Sequence, residues 1–432
     1  MLTTVPPPPA HPAAASRAFA DYPVQAQMPF THRPPLVFTE GRGSWLMDSE
    51  GRRYLDLVQG WAVNTLGHAP VEIARALAEQ AGRLLHVGPG LHNAPAIALA
   101  DRLTALSGLA RCFLASSGAE ANEGAIKLAR KFGRKKRGGA HEIITFRNAF
   151  HGRTLATMSA SGKPGFDTMF APQVPGFPKA TLNDIASVAA LIGPGTVAVM
   201  IEPIQGEAGV VEATPEFLRD LRRLCSELGL LLILDEVQTG IGRTGTMFAH
   251  EFAGPPQEQI PEGAARRCLH EAAGVRPDIM TLGKGLGGGV PIAALLAREE
   301  VCCFDPGDQG GTYTGNPLVC AAALAVLDVV AAPAFLPAMR ERALAFRAGL
   351  DALALREGGP PVSGRGLLLA LELPQPGRAQ RVADALRELP GHGVLVNAVR
   401  PERLRLMPAL TASAAELALA VVLLTEALDR IR

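Results

Sequence analysis

Leu230-Leu-Leu-Ile-Leu-Asp235-Glu-Val-Gln-Thr-Gly240 and, downstream, Pro277-Asp-Ile-Met-Thr-Leu-Gly-Lys284-Gly-Leu-Gly-Gly-Gly289 share one pattern. Each is a short apolar run that ends in a polar group. An apolar run of this length, bounded by turn residues, reads as a parallel strand buried on both faces. In open α/β sheets the carboxyl ends of such strands open onto ligand sites. Asp235 stands at one such end, and Lys284 stands in a glycine-rich loop past another.

The rest of the chain repeats the theme. Strand candidates are Cys112–Ala115, Ile143–Phe146, Val197–Ile201, Leu230–Leu234, Ile279–Leu282 and Ile292–Leu296. Helical periods lie between most of them, as in Ala119–Phe132 and Pro215–Leu228. That alternation predicts an α/β fold with a mostly parallel central sheet and helices on both faces. Short strands near Leu36–Phe38, Gly43–Met47 and Tyr54–Leu57 come first, followed by a helix from Val71 to about Leu85. A long alanine-rich helix is expected over Leu318–Val329. The tail, with strands at Leu367–Leu373 and Leu404–Met407, reads as a smaller α+β domain.

The expected organisation has four parts. Residues 1–30 form a mobile Pro/Ala-rich arm, and 31–65 an N-terminal segment packing with the small domain. Residues 66–320 form the large domain, interrupted by a surface insertion at 253–273, and 321–432 the C-terminal small domain. Two domains suit 432 residues. A formal net charge of +1 gives bulk electrostatics no hold on nucleic acid or an anionic membrane. The six cysteines include no Cys-x-x-Cys pair, and no His-Glu-x-x-His occurs, so reduced thiols and no metal are expected. Met1–Ala10 lacks a basic segment followed by an apolar one, and no apolar run reaches the roughly 18 residues of a membrane helix. A cytoplasmic protein is the expectation.

Several further strand ends carry polar groups. In Leu114-Ala-Ser-Ser-Gly-Ala-Glu-Ala-Asn-Glu123 a strand gives way to a helix, whose first amides and positive dipole end suit an anion. Ser117, Gly118 and Ala119 could cradle a phosphate there, although an ordinary serine-capped turn reads the same way. In Phe146-Arg-Asn-Ala-Phe-His-Gly-Arg-Thr154, Phe150 could stack on a planar ring and Arg153 could clamp a carboxylate; core packing and a surface ion pair are the plainer readings. Glu207 closes Glu202-Pro-Ile-Gln-Gly-Glu207 at the same sheet edge. Gly283-Lys-Gly-Leu-Gly-Gly288 formally matches a dinucleotide fingerprint, but a strand rather than a helix follows it. A lysine amine and a carboxylate facing each other at this edge could hold pyridoxal phosphate, the amine bonding its aldehyde and Asp235 keeping its ring nitrogen protonated.

The ordered set of motifs resembles the class III, fold-type-I pyridoxal-phosphate aminotransferases over about Pro34 to Leu410. The acetylornithine branch is nearest, with ornithine and 4-aminobutyrate enzymes close by. The landmarks are Ser116–Glu123, Ala149–Thr154, Ile201–Glu207, Leu234–Gly240, Thr281–Gly289 and Gly311-Thr-Tyr-Thr-Gly-Asn-Pro317. The resemblance implies that Lys284 bonds the cofactor and shuttles a proton, and that Asp235 pairs with the ring nitrogen. It places Gln238 near the ring oxygen, Phe150 on the ring, and Ser117, Gly118 and Ala119 on the phosphate. Thr312 would reach the phosphate of the neighbouring subunit in a homodimer with shared sites. Arg153 would bind a substrate carboxylate, and Arg405 would be the second arginine, facing Glu207.

The implied reaction moves the terminal amine of N2-acetyl-L-ornithine to 2-oxoglutarate, a step of arginine biosynthesis. Gly311 stands where the acetylornithine and ornithine enzymes usually carry Ser or Thr. Trp61 is bulkier than the aliphatic residue common at its pocket position. Both leave open a 4-aminobutyrate, ornithine or broad ω-amine donor, and an intramolecular aminomutase would share the fold. A nucleotide-binding protein using the glycine-rich loops is the remaining alternative.

Overall fold

The computed structural model describes residues 17–254 and 275–431. Residues 1–16 of the expected arm and 255–273 of the expected insertion lie outside the described residues.

Strands with apolar side chains at every position must be covered on both faces, and the central sheet meets that demand. Its seven strands run, in spatial order, Arg111–Ala115, Ala293–Ala297, Ile279–Leu282, Leu231–Asp235, Thr196–Ile201, Glu142–Phe146 and Lys179–Ala180. All are parallel except Ala293–Ala297, which is antiparallel to both neighbours. Alternation divides each buried run between two cores. Val199, Ile201, Leu232 and Leu234 pack with Phe217, Leu218 and Leu221 of the helix Pro215–Glu227. Ala198, Met200, Leu231 and Ile233 pack instead with Ala125, Ile126 and Leu128 of the helix Gly118–Lys136.

One helix had not been expected. Ala94–Ser107 buries Leu99, Leu103 and Leu106 on one face, and the Asn93 side chain caps it by accepting from the Ala96 amide at 2.9 Å. The helix from Val71 ends at Ala81 rather than near Leu85, because Gly82 follows and caps it.

The N-terminal strands Phe38–Arg42, Trp45–Asp48 and Arg53–Asp56 form a sheet that His392–Leu395 completes, pairing parallel to Arg53–Asp56. Side chains reinforce that join. Trp45 Nε1 donates to Glu416 at 3.1 Å, and Arg52 donates to the carbonyls of Arg387 and Leu389, each at 2.7 Å. A second C-terminal sheet orders Ser363–Arg365, Leu368–Glu372, Arg403–Leu406 and Asn397–Arg400, all antiparallel. The helices Phe335–Arg356, Arg378–Arg387 and Ala414–Arg430 belong to this C-terminal part. The expected boundary at 320/321 falls inside one helix, Pro317–Val330, which packs on Val71–Ala81 and Ala94–Ser107.

Asp278 pins the sheet just before the strand that leads to Lys284. Its carboxylate is buried and accepts from the Leu232 amide at 2.8 Å, Arg222 at 2.7 Å and Arg298 at 2.8 Å. Removing one member of a buried ionic cluster strands the others without their counter-charge. Asp278→Ala is expected to lower stability by about 3 kcal/mol, seen as a reduced unfolding midpoint in denaturant.

Candidate functional site

At the carboxyl end of Leu231–Asp235 a buried carboxylate gathers donors from other segments. Asp235 Oδ2 accepts from Asn122 Nδ2 and from His151 Nδ1, both at 2.8 Å, and Oδ1 accepts from the Val237 amide at 3.0 Å. A carboxylate only accepts, so Nδ1 is the protonated ring nitrogen of His151. Asn122 also donates to the His151 carbonyl at 2.7 Å and accepts from Thr281 Oγ1 at 2.7 Å. These residues are almost fully enclosed: Asn122 is 1 % exposed, His151 2 % and Asp235 4 %.

Val237 lies where three strand-end segments converge. A Cβ on Gly118 would meet Val237 Cγ1 at 2.7 Å, and one on Gly283 would meet it at 3.1 Å. Glycine at 118 thus lets the start of the helix Gly118–Lys136 approach the loop after Asp235. Ser117 caps this helix, its hydroxyl accepting from the Glu120 amide at 3.2 Å. Glu120 Oε2 in turn accepts from the Ser116 and Ser117 amides at 2.7 and 2.9 Å. The amides of Gly118 and Ala119 fall in the first turn, where a helix offers no acceptor of its own.

Lys284 follows Leu282-Gly283 with a φ of +41°, a left-handed conformation that costs free energy for a side-chain-bearing residue. The loop is held by Thr65, whose hydroxyl donates to the Gly285 carbonyl at 2.8 Å. Burial first, and Arg405 second, lower the Lys284 ammonium from its usual range, against the pull of Glu207, Asp235 and Glu202. Those four charged groups all act on one buried amine.

Arg405 is fully buried on the strand Arg403–Leu406. It donates to Asn397 Oδ1 at 3.1 and 2.8 Å, to Gln238 Oε1 at 3.3 Å and to Glu207 Oε1 at 2.9 Å. Glu207 Oε2 accepts from Lys163 at 3.2 Å. Burial alone would raise the Glu207 carboxyl, but Arg405 and then Lys163 outweigh it and hold it at about 2. Gly206 has no room for a side chain, since a Cβ would lie 1.6 Å from Gln238 Oε1.

Glu202, at the end of Thr196–Ile201, accepts from the Phe150 amide at 2.8 Å. Burial, and next the Asp235 carboxylate, push it well above the ordinary carboxylate range. Asn122, His151 and Glu202 lie inside the motifs quoted above yet received no role from sequence. Only the polarity of Asn122 on an otherwise apolar helix face hinted at its contact.

The remaining expected residues sit outside this buried group. Trp61 is 53 % exposed, in a left-handed turn in which Gln59, Gly60, Trp61 and Ala62 all have positive φ. Asp56 supports that turn, its Oδ1 accepting from the Val58 and Gln59 amides at 2.8 and 3.0 Å. Arg153, Gly311 and Thr312 are exposed.

A family model described as aminotransferase class-III matches residues 27–258 and 266–428. The chain belongs to the class-III aminotransferases. It is 56% identical over 400 residues to acetylornithine aminotransferase 2 of Bordetella bronchiseptica, covering 93% of this chain and 96% of that one. It is 43% identical over 389 residues to a succinylornithine transaminase of Salmonella paratyphi A, covering 89% and 90% of the two chains. Among solved structures it resembles the N-acetylornithine aminotransferase of Stenotrophomonas maltophilia, with a TM-score of 0.76, 35% identity and coverage of 93% and 97%. The fold is that of fold-type-I aminotransferases, and the cofactor is pyridoxal 5′-phosphate. The residues present fit that group: a buried carboxylate for a ring nitrogen, a helix start for a phosphate, and an amine for an aldehyde. Among the described residues no helix is long and apolar enough by itself to cross a membrane.

The raised carboxyl of Glu202 has a pH consequence. Folded, Glu202 keeps its proton to a higher pH than it does unfolded, so its burial penalty is absent at low pH and grows as pH rises above the ordinary carboxylate range. Glu202→Gln keeps an acceptor for the Phe150 amide and removes the charge. Its thermal midpoint relative to the parent is expected to be higher at pH 8 than at pH 5, measured on both proteins side by side.

Proposed function

We propose that this enzyme transfers the terminal amine of N2-acetyl-L-ornithine to 2-oxoglutarate, as a cytoplasmic homodimer serving arginine biosynthesis. The observation that carries the reading is a fully buried arginine, Arg405, whose charge is shared with a carboxylate, Glu207, both of them felt electrostatically by the Lys284 amine. A site of this kind can present either a neutral or a cationic face to its substrate.

When bound, the cofactor supplies an electron sink for the carbanion formed at the amine-bearing carbon. This chain's residues do the rest. Asp235, steadied by Asn122 and His151, keeps a proton on the ring nitrogen. The amides of Gly118 and Ala119, with Ser117, take the phosphate at the helix start. Phe150 would stack on the ring, Gln238 would approach the ring oxygen, and Thr312 of each subunit would reach the phosphate site of the other. Lys284, with its ammonium lowered by burial, would hold the cofactor aldehyde and, as a free amine, would move the proton from the substrate carbon as general base.

Arg153 takes the donor's carboxylate, and Trp61 and Gly311 border the substrate. Glutamate and 2-oxoglutarate bring a second carboxylate, which needs a second cation. Arg405 serves it once Glu207 has left; with the acylated donor, Glu207 stays and cancels a charge that would otherwise be buried unpaired. Residues 31–65 and the part of the chain after the helix Pro317–Val330 act as one small-domain unit against the large domain, which keeps that helix. The sequence likeness to enzymes named for acetylornithine favours that donor, and the succinylornithine relative makes the succinyl compound the second candidate.

A donor panel with 2-oxoglutarate tests the assignment. N2-acetylornithine is expected to give a kcat/KM at least about tenfold above ornithine, 4-aminobutyrate and a simple amine, with N2-succinylornithine nearest to it. A higher value for 4-aminobutyrate or the simple amine would reassign the enzyme.

The two arginine settings predict opposite defects. Glu207→Ala is expected to slow the half-reaction with acetylornithine while sparing the one with glutamate. Arg405→Ala should do the reverse. Single-turnover rates for each half-reaction decide the matter, and equal losses on both sides would reject the switch.

A further inference from the structure

We propose that Lys163 is the second seat of Glu207, the cation that keeps this carboxylate paired while Arg405 is given over to a dicarboxylate. The inference rests on the reading that Glu207 leaves Arg405 in one half-reaction. It adds where the carboxylate goes and which residue makes the exchange affordable.

Three observations carry it. First, Glu207 already spans both cations, with Oε1 on Arg405 at 2.9 Å and Oε2 on Lys163 at 3.2 Å. Turning away from Arg405 therefore breaks one ion pair and keeps the other. Second, each cation has a hold that does not depend on Glu207. Arg405 is fixed by Asn397 and Gln238. The backbone leading to Lys163 is clamped at Gly162, which donates to the Ala149 carbonyl at 3.0 Å and accepts from the Asn148 amide at 2.8 Å. The Lys163 ammonium also stands 5.8 Å from the ring centroids of both Phe150 and Phe166, a distance at which aromatic faces attract a cation. Glu207, by contrast, projects from the turn between Gly206 and Gly209 and is held through its side chain alone.

Third, burial raises the Glu207 carboxyl while Arg405 and then Lys163 lower it to about 2, so with both cations beside it Glu207 is an anion at neutral pH. Leaving Arg405 removes the larger of the two cationic influences, and the Lys163 ammonium is what remains to hold the negative charge. Its side chain is only 24 % exposed, and an anion moved off Arg405 at that depth with no partner would be strongly disfavoured. Lys163, its side chain 30 % exposed, supplies that partner. Lys163 is thus a positioning residue that acts through Glu207, not a group that touches the reacting atoms.

The test uses the holoenzyme in five forms: parent, Lys163→Met, Lys163→Arg, Glu207→Ala and the Lys163→Met/Glu207→Ala pair. Two quantities are read: single-turnover rates of each half-reaction, and calorimetric affinity for glutarate, a dicarboxylate with no reacting group. Lys163→Met is expected to weaken glutarate binding about tenfold and to slow the glutamate half-reaction by a similar factor relative to the donor half-reaction. Lys163→Arg should recover most of both. In the Glu207→Ala background the same Lys163→Met change should alter neither by more than about twofold, because no carboxylate remains to be seated. A Lys163→Met defect of equal size with and without Glu207 overturns the proposal, since Lys163 would then act on the ligand itself. Parent-like behaviour of Lys163→Met overturns it as well. The switch beneath it is judged separately by Glu207→Ala alone, where equal losses in both half-reactions reject the switch.

Discussion

A single buried negative charge at the end of a central strand organises the site. Isolated in a low-dielectric interior, a carboxylate such as Asp235 is strongly disfavoured, and it persists only with donors directed at it. Those donors come from separate parts of the chain: Asn122 from the helix after the first sheet strand, His151 from the loop after Glu142–Phe146, and the Val237 amide from its own loop. Thr281 on the adjacent strand then orients Asn122. Satisfying one charge thereby registers four segments against each other at the edge where Lys284 also stands.

Around that amine the charges are balanced as a group. Glu202, buried beside Asp235, is pushed towards its neutral form, which spares the site a second uncompensated anion. Glu207 is held firmly ionised by two cations, and Arg405 is buried only because Glu207, Asn397 and Gln238 share its donors. Lys284 is the least committed member, lowered by burial and by Arg405. A buried amine in the field of charges with fixed commitments of their own is the arrangement a proton-moving lysine needs.

The N-terminal segment enters the same structure through polar contacts. Asp56 braces the left-handed turn at Gln59–Ala62 and meets His68 Nε2 at 2.8 Å through its other oxygen. A few residues on, Thr65 bonds the carbonyl next to Lys284. Left-handed conformations at Trp61 and at Lys284 are each unfavourable for residues with a Cβ, and these bonds are what keep both in place.

The apolar runs and glycine-rich turns determined by themselves that Leu231–Asp235, Ile279–Leu282 and their neighbours would be buried strands ending at a common edge, because burial pattern and turn chemistry are short-range properties. They also ordered Ser117, Phe150, Glu207, Asp235 and Lys284 along that edge, and the family resemblance attached the chemistry. The helix Ala94–Ser107 carried local signals too, in Asn93, Pro95 and its buried leucine face. Tertiary structure alone decided the pairings. Asn122 meets Asp235 across 113 residues, Glu207 meets Arg405 across 198, and Lys163 reaches Glu207 across 44. Contacts at such separations follow from how helices and strands pack, and no local propensity records which buried donor will face which carboxylate.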